Sequence, residues 1–487
     1  LMSSAGGILG LGFAYSAVNA LRGLAPSNTI RNIAIPVDGY VLLFTAGVVL
    51  VAAVLFGIAP AWQMSRAGDF EALKEGGRSN IGGRGRQRLR SVLVAGEVGL
   101  ALVLLVGAGL FLRSLAHMQE VNPGFDAHGV MTAEVSLSPT AYSDESKQIS
   151  FYQQITERLR QQPGVQSAAA VNGLPFSDSG SASSFEIENR SLGEGVPDPH
   201  SNLGWVTPGY FSTLRIPLLS GRNFSEQDRA GTLPVVIIDE NLARQYWPNQ
   251  NPIGQRIRYA ASPDVNKNPW TVIIGVVGHT KRSALVGESG KGLRYYSMLQ
   301  HTSLFGGLGA SLVARTAGDP AALATTIRQA VKDVDPSQAA AYDLQTMDDL
   351  IADSLGPRRF AVTLLGLFAG IALFLAALGL YGIISYSVSL RTQEIGIRMA
   401  LGARRPEVLR MVVIQGLRLV AAGVVAGLAV AAALAAVLSS QLFEVSAFDP
   451  ITFLIMVLLM AVVAMLATYL PARRAANVDP IVALRYE

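Results

Sequence analysis

Long apolar stretches alternate with polar segments along this chain. Six stretches are long enough to cross a bilayer as helices, because about 20 residues at a rise of about 1.5 Å each span the hydrocarbon. They cover residues 3–21, 40–62, 91–112, 360–388, 411–439 and 451–470. The pattern predicts an α-helical polytopic membrane protein with six transmembrane helices.

The polar segment between the third and fourth stretches, residues 116–357, has the pattern of a large soluble α/β domain. Alternating and short apolar runs predict strands at 130–137, 165–171, 235–238, 271–277 and 311–315, and 3.6-residue periodicity predicts helices at 143–161, 241–246 and 321–334. Strand–helix–strand units at both ends predict a split α/β lobe that carries an insertion. The Ser-rich segment 177–184 is predicted to be a flexible surface loop.

Basic residues are concentrated in three of the short polar segments, 66–90, 391–410 and 473–485. Short loops rich in Lys and Arg remain on the cytoplasmic side of a membrane. The distribution therefore places the 116–357 domain outside. It predicts a multi-pass protein of the inner (plasma) membrane with its large domain in the periplasm or on the extracytoplasmic side.

Composition agrees with a membrane protein and argues against several other classes. Half of the residues are hydrophobic and 15% are charged, and the net charge of +4 is too small to imply a nucleic-acid partner. The chain has no Cys, and its five His show no metal-ligand spacing. Segment 287–292 lacks the residues that a phosphate-binding loop requires, and no nucleophile motif or fixed acidic pair is present. No catalytic, cofactor or metal site is predicted, and the chain is not expected to be an enzyme.

An internal repeat divides the sequence. Residues 38–76 align without a gap to residues 449–487, and both begin with Asp, continue through an apolar span and leave it at Pro-Ala. We expect residues 1–76 to be the end of a first copy whose start has been cut, and 77–90 to be a basic cytoplasmic linker. The second copy would comprise a first transmembrane helix at 91–115, the external domain at 116–357 and three transmembrane helices at 358–487.

Two features of this layout allow more than one interpretation. The Gly- and Arg-rich linker could bind RNA, but its place beside a membrane favours anchoring to anionic lipid or setting topology. Glu97 lies inside the third span, where charged residues are candidates for function. A Glu that reaches the membrane surface or pairs with another helix fits that position equally well.

Residues 391–407 form a charged segment between the fourth and fifth spans. Glu394 and Arg398 are spaced to pair on one side of a short helix, and Ile395, Met399 and Leu401 could share another side. By these patterns alone the segment could simply be a basic loop that sets topology. Its amino-acid sequence, RTQEIGIRMALGA, closely resembles that of the cytoplasmic coupling helix of FtsX-like ABC permeases, the family that includes MacB.

Short sequence motifs in the external segment strengthen the resemblance. They include VNPGFD at 121–126, VTPGYF at 206–211, PLLSGRNF at 217–224 and NLARQYWP at 241–248, and they resemble the MacB-like periplasmic core domain. The two-copy layout is most similar to the duplicated permeases called the ADOP group.

The resemblance implies a function. A separate ATP-binding subunit, acting as a dimer, would close beneath the coupling helix and move the external domain. The residues implied in that coupling site are Gln393, Glu394, Ile395, Gly396, Ile397, Arg398, Met399 and Gly402. Ile395 and Ile397 would either fill apolar pockets on the ATP-binding subunit or pack back on the spans. The chain would export a small molecule, peptide or lipoprotein, with membrane lipid around it and an adaptor or outer-membrane channel as possible further partners. An alternative is an FtsX-like signal relay that regulates a periplasmic partner such as a cell-wall hydrolase. A membrane-anchored periplasmic enzyme is a remote third interpretation.

Overall fold

The structure is a computed structural model. It describes residues 39–66, 81–177, 180–190, 198–259, 269–285, 291–300, 308–336, 341–401 and 404–477, together with Gly6, Gly10, Gly12 and Ser16. The helices are α1 (Gly39–Arg66), α2 (Ile81–Gln119), α3 (Glu145–Arg160), α4 (Tyr210–Thr213), α5 (Glu240–Tyr246), α6 (Leu323–Val334), α7 (Met347–Ser354), α8 (Gly356–Leu390), α9 (Thr392–Ala400), α10 (Arg405–Val437) and α11 (Pro450–Ala476). The strands are β1 (Val130–Ser136), β2 (Val165–Asn172), β3 (Ser181–Ile187), β4 (His200–Val206), β5 (Leu218–Gly221), β6 (Val235–Asp239), β7 (Arg256–Tyr259), β8 (Thr271–Val277), β9 (Leu293–Ser297), β10 (Gly309–Thr316) and β11 (Tyr342–Thr346).

Within the described residues, four helices are long and apolar enough to cross a membrane. They comprise Arg90–Gln119, Gly356–Leu390, Arg405–Gln441 and Pro450–Ala476. Of the six predicted spans, the first lies almost wholly outside the described residues. The second falls on α1, a continuous helix that begins at the position equivalent to the start of α11 in the repeat. The last four predicted spans therefore coincide with helices of suitable length and composition, and a total of six is not confirmed.

Glycines bring α2 and α10 into backbone contact. A Cβ added to Gly423 would lie 2.6 Å from the carbonyl oxygen of Ala95, and one added to Gly427 would lie 2.8 Å from that of Gly99. Gly423 and Gly427 are four residues apart and so share one face of α10. Small residues at this spacing allow helices to approach closely in lipid, where packing rather than the hydrophobic effect holds helices together. The α2–α10 crossing is therefore built on residues without side chains.

Polar contacts hold the same bundle at the end of α2. Arg113 forms an ion pair and hydrogen bond with Asp449, whose carboxylate also accepts a hydrogen bond from the Thr452 amide at the start of α11. The neighbouring Ser114 hydroxyl accepts a hydrogen bond from the Phe443 amide at 2.9 Å. Arg113 and Ser114 of α2 are thus joined to two points of the α10–α11 connection.

The domain formed by residues 118–355 contains the expected split α/β lobe. Strands β11, β1, β10 and β2 lie side by side in that order, and all three pairings are antiparallel. The amphipathic helices α3 and α6 bury Tyr152, Ile155, Leu159 and Ile327 in the lobe's core. The strand–helix–strand units at the two ends of the domain are where the sequence places them.

The insertion between β2 and β10 forms a ring of strands. Strands β4, β3, β7, β8, β6 and β9 pair in succession, and a parallel pairing of β9 with β4 closes the ring. The expectation of a flexible loop at 177–184 is wrong for its second half, because β3 begins at Ser181. Ser183 there accepts hydrogen bonds from the buried Arg294 guanidinium, which also donates to Ser201 on β4. Cross-strand pairing and this buried arginine give a Ser-rich segment a fixed extended conformation.

The glycine crossing predicts a difference between two Gly→Ala substitutions. G423A adds a methyl group where the Ala95 carbonyl and the Val98 side chain already lie, whereas G382A adds one with nothing within 4 Å. We expect G423A to lower the free energy of unfolding by about 1–3 kcal/mol because of overpacking. G382A should leave it unchanged or raise it by up to about 1 kcal/mol, because Ala favours a helix.

The comparison is made by thermal or detergent-titrated unfolding of the full chain in micelles. Equal stability of the two variants would contradict the close α2–α10 contact.

Candidate ATPase-coupling site

The candidate site is the short helix α9 between the two membrane-candidate helices α8 and α10. Helix α8 ends at Leu390, Arg391 leaves the helical conformation, and α9 begins at the next residue. The Thr392 hydroxyl donates to the Val388 carbonyl at 3.1 Å, and the Ile395 amide donates to the Arg391 carbonyl at 2.9 Å. The segment is therefore a helix that follows α8 after a one-residue break, rather than an open loop.

One face of α9 packs against the bundle that includes α8, α10 and α11. Ile395 is 1% exposed and belongs to the same apolar cluster as Leu380, Val412 and Ala472, and Met399 packs against that cluster. Gly396 is also buried. The resemblance left open whether Ile395 would fill a pocket on a partner or pack back on the spans. The structure shows that it packs back.

The opposite face is apolar and exposed. Ile397 is 43% exposed and Leu401 is 83% exposed, four residues apart, so they can lie on one side of the helix. The expectation that Leu401 shares a side with Ile395 and Met399 is wrong. Leu401 is the C-cap residue of α9. At 3.6 residues per turn, a residue two positions beyond Met399 is about 200° further around the helix, so Leu401 lies on the opposite side from Met399.

Charged residues flank this exposed face. Arg398 donates to the Glu394 carboxylate at 2.6 Å, which confirms the predicted i, i+4 pair, and its other nitrogen lies 3.4 Å from the Met411 sulfur. Both side chains of the pair are about half exposed. An exposed pair of this kind contributes at most about 1 kcal/mol to stability, so both groups are accessible to a partner at little cost to the fold.

The remaining predicted residues fall in different places. Gln393 lies on α9, and Gly402 lies outside the described residues. Glu97 is exposed on α2, with a carboxylate oxygen 2.5 Å from where a Cβ on Gly379 of α8 would lie. That contact places it beside a neighbouring helix and does not test the functional interpretation. The rejected phosphate-loop segment lies largely outside the described residues.

Two family models match the chain. The model of the FtsX-like permease C-terminal region covers residues 366–480, which include α9 and the helices on both sides of it. The model of the MacB-like periplasmic core domain covers residues 100–341, which include the strand ring and all of the α/β lobe except β11. This chain belongs to the MacB/FtsX-like family of ABC transporter permeases.

Individual relatives agree with the family. This permease is 26% identical over 88% of its length to the macrolide export ATP-binding/permease protein MacB of Escherichia coli, of which it covers 62%. It is 28% identical to the probable syringafactin export ATP-binding/permease protein SyfD of Pseudomonas syringae, over 65% of this chain and 46% of that protein. It is 26% identical to the ABC transporter permease YknZ of Bacillus subtilis, over 58% of this chain and 69% of that one. The permease thus spans about half to two thirds of these relatives.

The two faces of α9 predict opposite effects of truncating its isoleucines. I395A should lower the free energy of unfolding by about 2–4 kcal/mol, because it opens a cavity in the bundle core. I397A removes a side chain that is 43% exposed and should change stability by less than about 1 kcal/mol. Thermal unfolding of both variants in nanodiscs makes the comparison, and a destabilised I397A beside a stable I395A would reverse the assignment of the faces.

Proposed function

We propose that this permease is a non-catalytic membrane subunit that transmits ATP-driven movement from a separate ATP-binding subunit, acting as a dimer, to its external domain. The observation that carries the proposal is the two-sided helix α9. Its inner face, centred on Ile395, is fixed to the spans, whereas Glu394, Ile397, Arg398 and Leu401 face outward. A force on the outer face would reach α8 and α10 through the buried inner face.

The outer face has the chemistry of a contact surface. An apolar pair, Ile397 and Leu401, lies beside a Glu–Arg pair whose members are both reachable. Protein interfaces combine apolar anchors with charged groups that set orientation and specificity. The five arginines at 391, 398, 404, 405 and 410 support a cytoplasmic position for this surface.

Several wider features belong to the same proposal. The protein would be a multi-pass protein of the inner membrane, with the 116–357 domain on the extracytoplasmic side and residues 1–76 and 358–487 as parts of two permease copies. Export is favoured over signal relay because two of the relatives are named for export, one of macrolides and one of syringafactin. A periplasmic adaptor or an outer-membrane channel would be a further partner.

ATP can drive such a movement only by binding one arrangement of the complex more tightly than the other. The test is therefore hydrogen exchange of the full chain in lipid nanodiscs with the host's ATP-binding subunits, with and without ATP. ATP should change the exchange of amides in the external domain. E394R should abolish that change and weaken binding of the ATP-binding subunit, because it places like charges where the pair now lies.

The matched control is E444R, the same charge reversal in the segment that follows the opposite end of α10. It should bind and respond as the unaltered chain does. An unchanged ATP response in E394R would contradict the proposed coupling surface. Changed macrolide accumulation in cells would favour export, whereas a hydrolase partner retained on purification would favour relay.

A further inference from the structure

The chain passes from α2 into the external domain through a short segment that is fixed along its length. Helix α2 ends at Gln119 and strand β1 begins at Val130. Between them, residues 121–128, which we call the entry segment, contact several separate parts of the domain. These contacts make the segment a joint rather than a linker.

The first half of the entry segment lies against residues 279–281. Gly124 has a φ of +88°, and a Cβ there would lie 2.0 Å from the His279 carbonyl oxygen, so only glycine fits. The Lys281 amide donates to the Pro123 carbonyl at 2.8 Å. The buried Phe125 ring packs against Phe176, with centroids 6.2 Å apart.

The second half is held by charged groups. The Asp126 amide donates to the Leu214 carbonyl at 2.9 Å, and the Asp126 carboxylate accepts from Arg215 at 2.7 Å. Arg315 is 4% exposed, and its guanidinium donates to the backbone carbonyls of Asp126 at 2.6 Å, of His128 at 2.5 Å and of Thr213 at 2.6 Å. A buried arginine on β10 therefore gathers the entry segment and the end of α4.

The charge balance at Asp126 favours its ionised form. Burial alone would raise the pKa of this carboxyl, but the His128 amide and the guanidiniums of Arg315 and Arg215 outweigh burial and lower the pKa. A lowered pKa means that the ionised carboxylate stabilises the folded joint above the unfolded pKa of about 4 and loses that effect as the pH falls further. The Asp126 carboxylate is therefore ionised at neutral pH.

The exit from the domain is equally short. Strand β11 pairs with β1, α7 follows β11 directly, and one residue separates α7 from α8. His128 of the entry segment and Asp348 of α7 form a contact of 3.2 Å. Entry and exit therefore lie beside each other on the domain.

We infer that the entry segment is a stiff joint through which movement of α2 reaches the external domain, with Asp126 and Arg315 as its positioning residues. This inference rests on the proposed function for the source of the movement. A displacement of the end of α2 moves β1, β10 and α4 together, because the contacts of the entry segment hold it rigid. Each of these elements is reached by a hydrogen bond or ion pair from residues 126–128 or from Arg315.

The joint is tested with D126N, which keeps the side-chain shape and removes the charge. The matched control is E188Q, which removes a carboxylate of similar exposure that pairs with Arg256 at 2.5 Å on the strand ring. D126N should speed amide exchange in the entry segment about tenfold, because a charge-assisted hydrogen bond is lost. Spin labels at Q119C and Q153C, in a chain without native Cys, should show a broader distance distribution.

Transmission is measured in the same preparations with the ATP-binding subunits. D126N should bind them and hydrolyse ATP as the unaltered chain does, while the ATP-dependent change in exchange across the external domain falls several-fold. E188Q should keep that change. An unaltered entry segment in D126N, or a loosened one with a full ATP response, would overturn the inference.

Failure of the proposed function gives a different result. The unaltered chain would then show no association with the ATP-binding subunits and no ATP response. The joint would lose its role in transmission, although exchange in the entry segment would still report whether Asp126 holds it.

Discussion

Close approach between helices in hydrocarbon is the constraint on which the membrane part of this permease depends. Lipid tails are as apolar as leucine, so helices associate through van der Waals contact rather than through exclusion of water. Here that contact is made at glycines, which have no side chain. Gly99, Gly423 and Gly427 join α2 to α10, and Gly416 lies against Thr468 of α11. The position of α10 in turn sets where α9 can pack.

Helix α9 shows how this constraint reaches the proposed coupling surface. Ile395 is part of the core that α2, α8, α10 and α11 share, so the helix is held by the bundle rather than by its own hydrogen bonds alone. A short helix of nine residues would be marginal by itself in water. Its exposed face is therefore displayed on a rigid base, which is the physical requirement for passing a force rather than absorbing it.

The external domain uses buried arginines for a related purpose. Arg294 joins β9 to β3 and β4 inside the strand ring, and Arg315 gathers the entry segment and the end of α4. The planar guanidinium offers five donors in fixed directions, so one side chain can connect several backbone segments at once. Both guanidiniums hold backbone segments in specific positions. Arg294 does so where the strand ring closes, and Arg315 does so where the chain enters the domain.

The sequence by itself determined the elements whose signal is local. The lengths of the apolar stretches predicted the four described candidate spans. Hydrophobic periodicity predicted β1, α3, β2, β6, β8 and α6 to within a few residues, and short sequence motifs predicted the family. The spacing of Glu394 and Arg398 also predicted their ion pair, because residues four apart are neighbours on any helix. Tertiary structure alone decided the rest. The Ser-rich sequence of β3 does not by itself predict a strand. Its extended conformation depends on pairing with β4 and β7 and on the hydrogen bonds from Arg294 of β9. Arg315 is a core residue because contacts more than 100 positions away satisfy it. These features depend on contacts between residues that are far apart in the sequence, so no single stretch of the sequence predicts them.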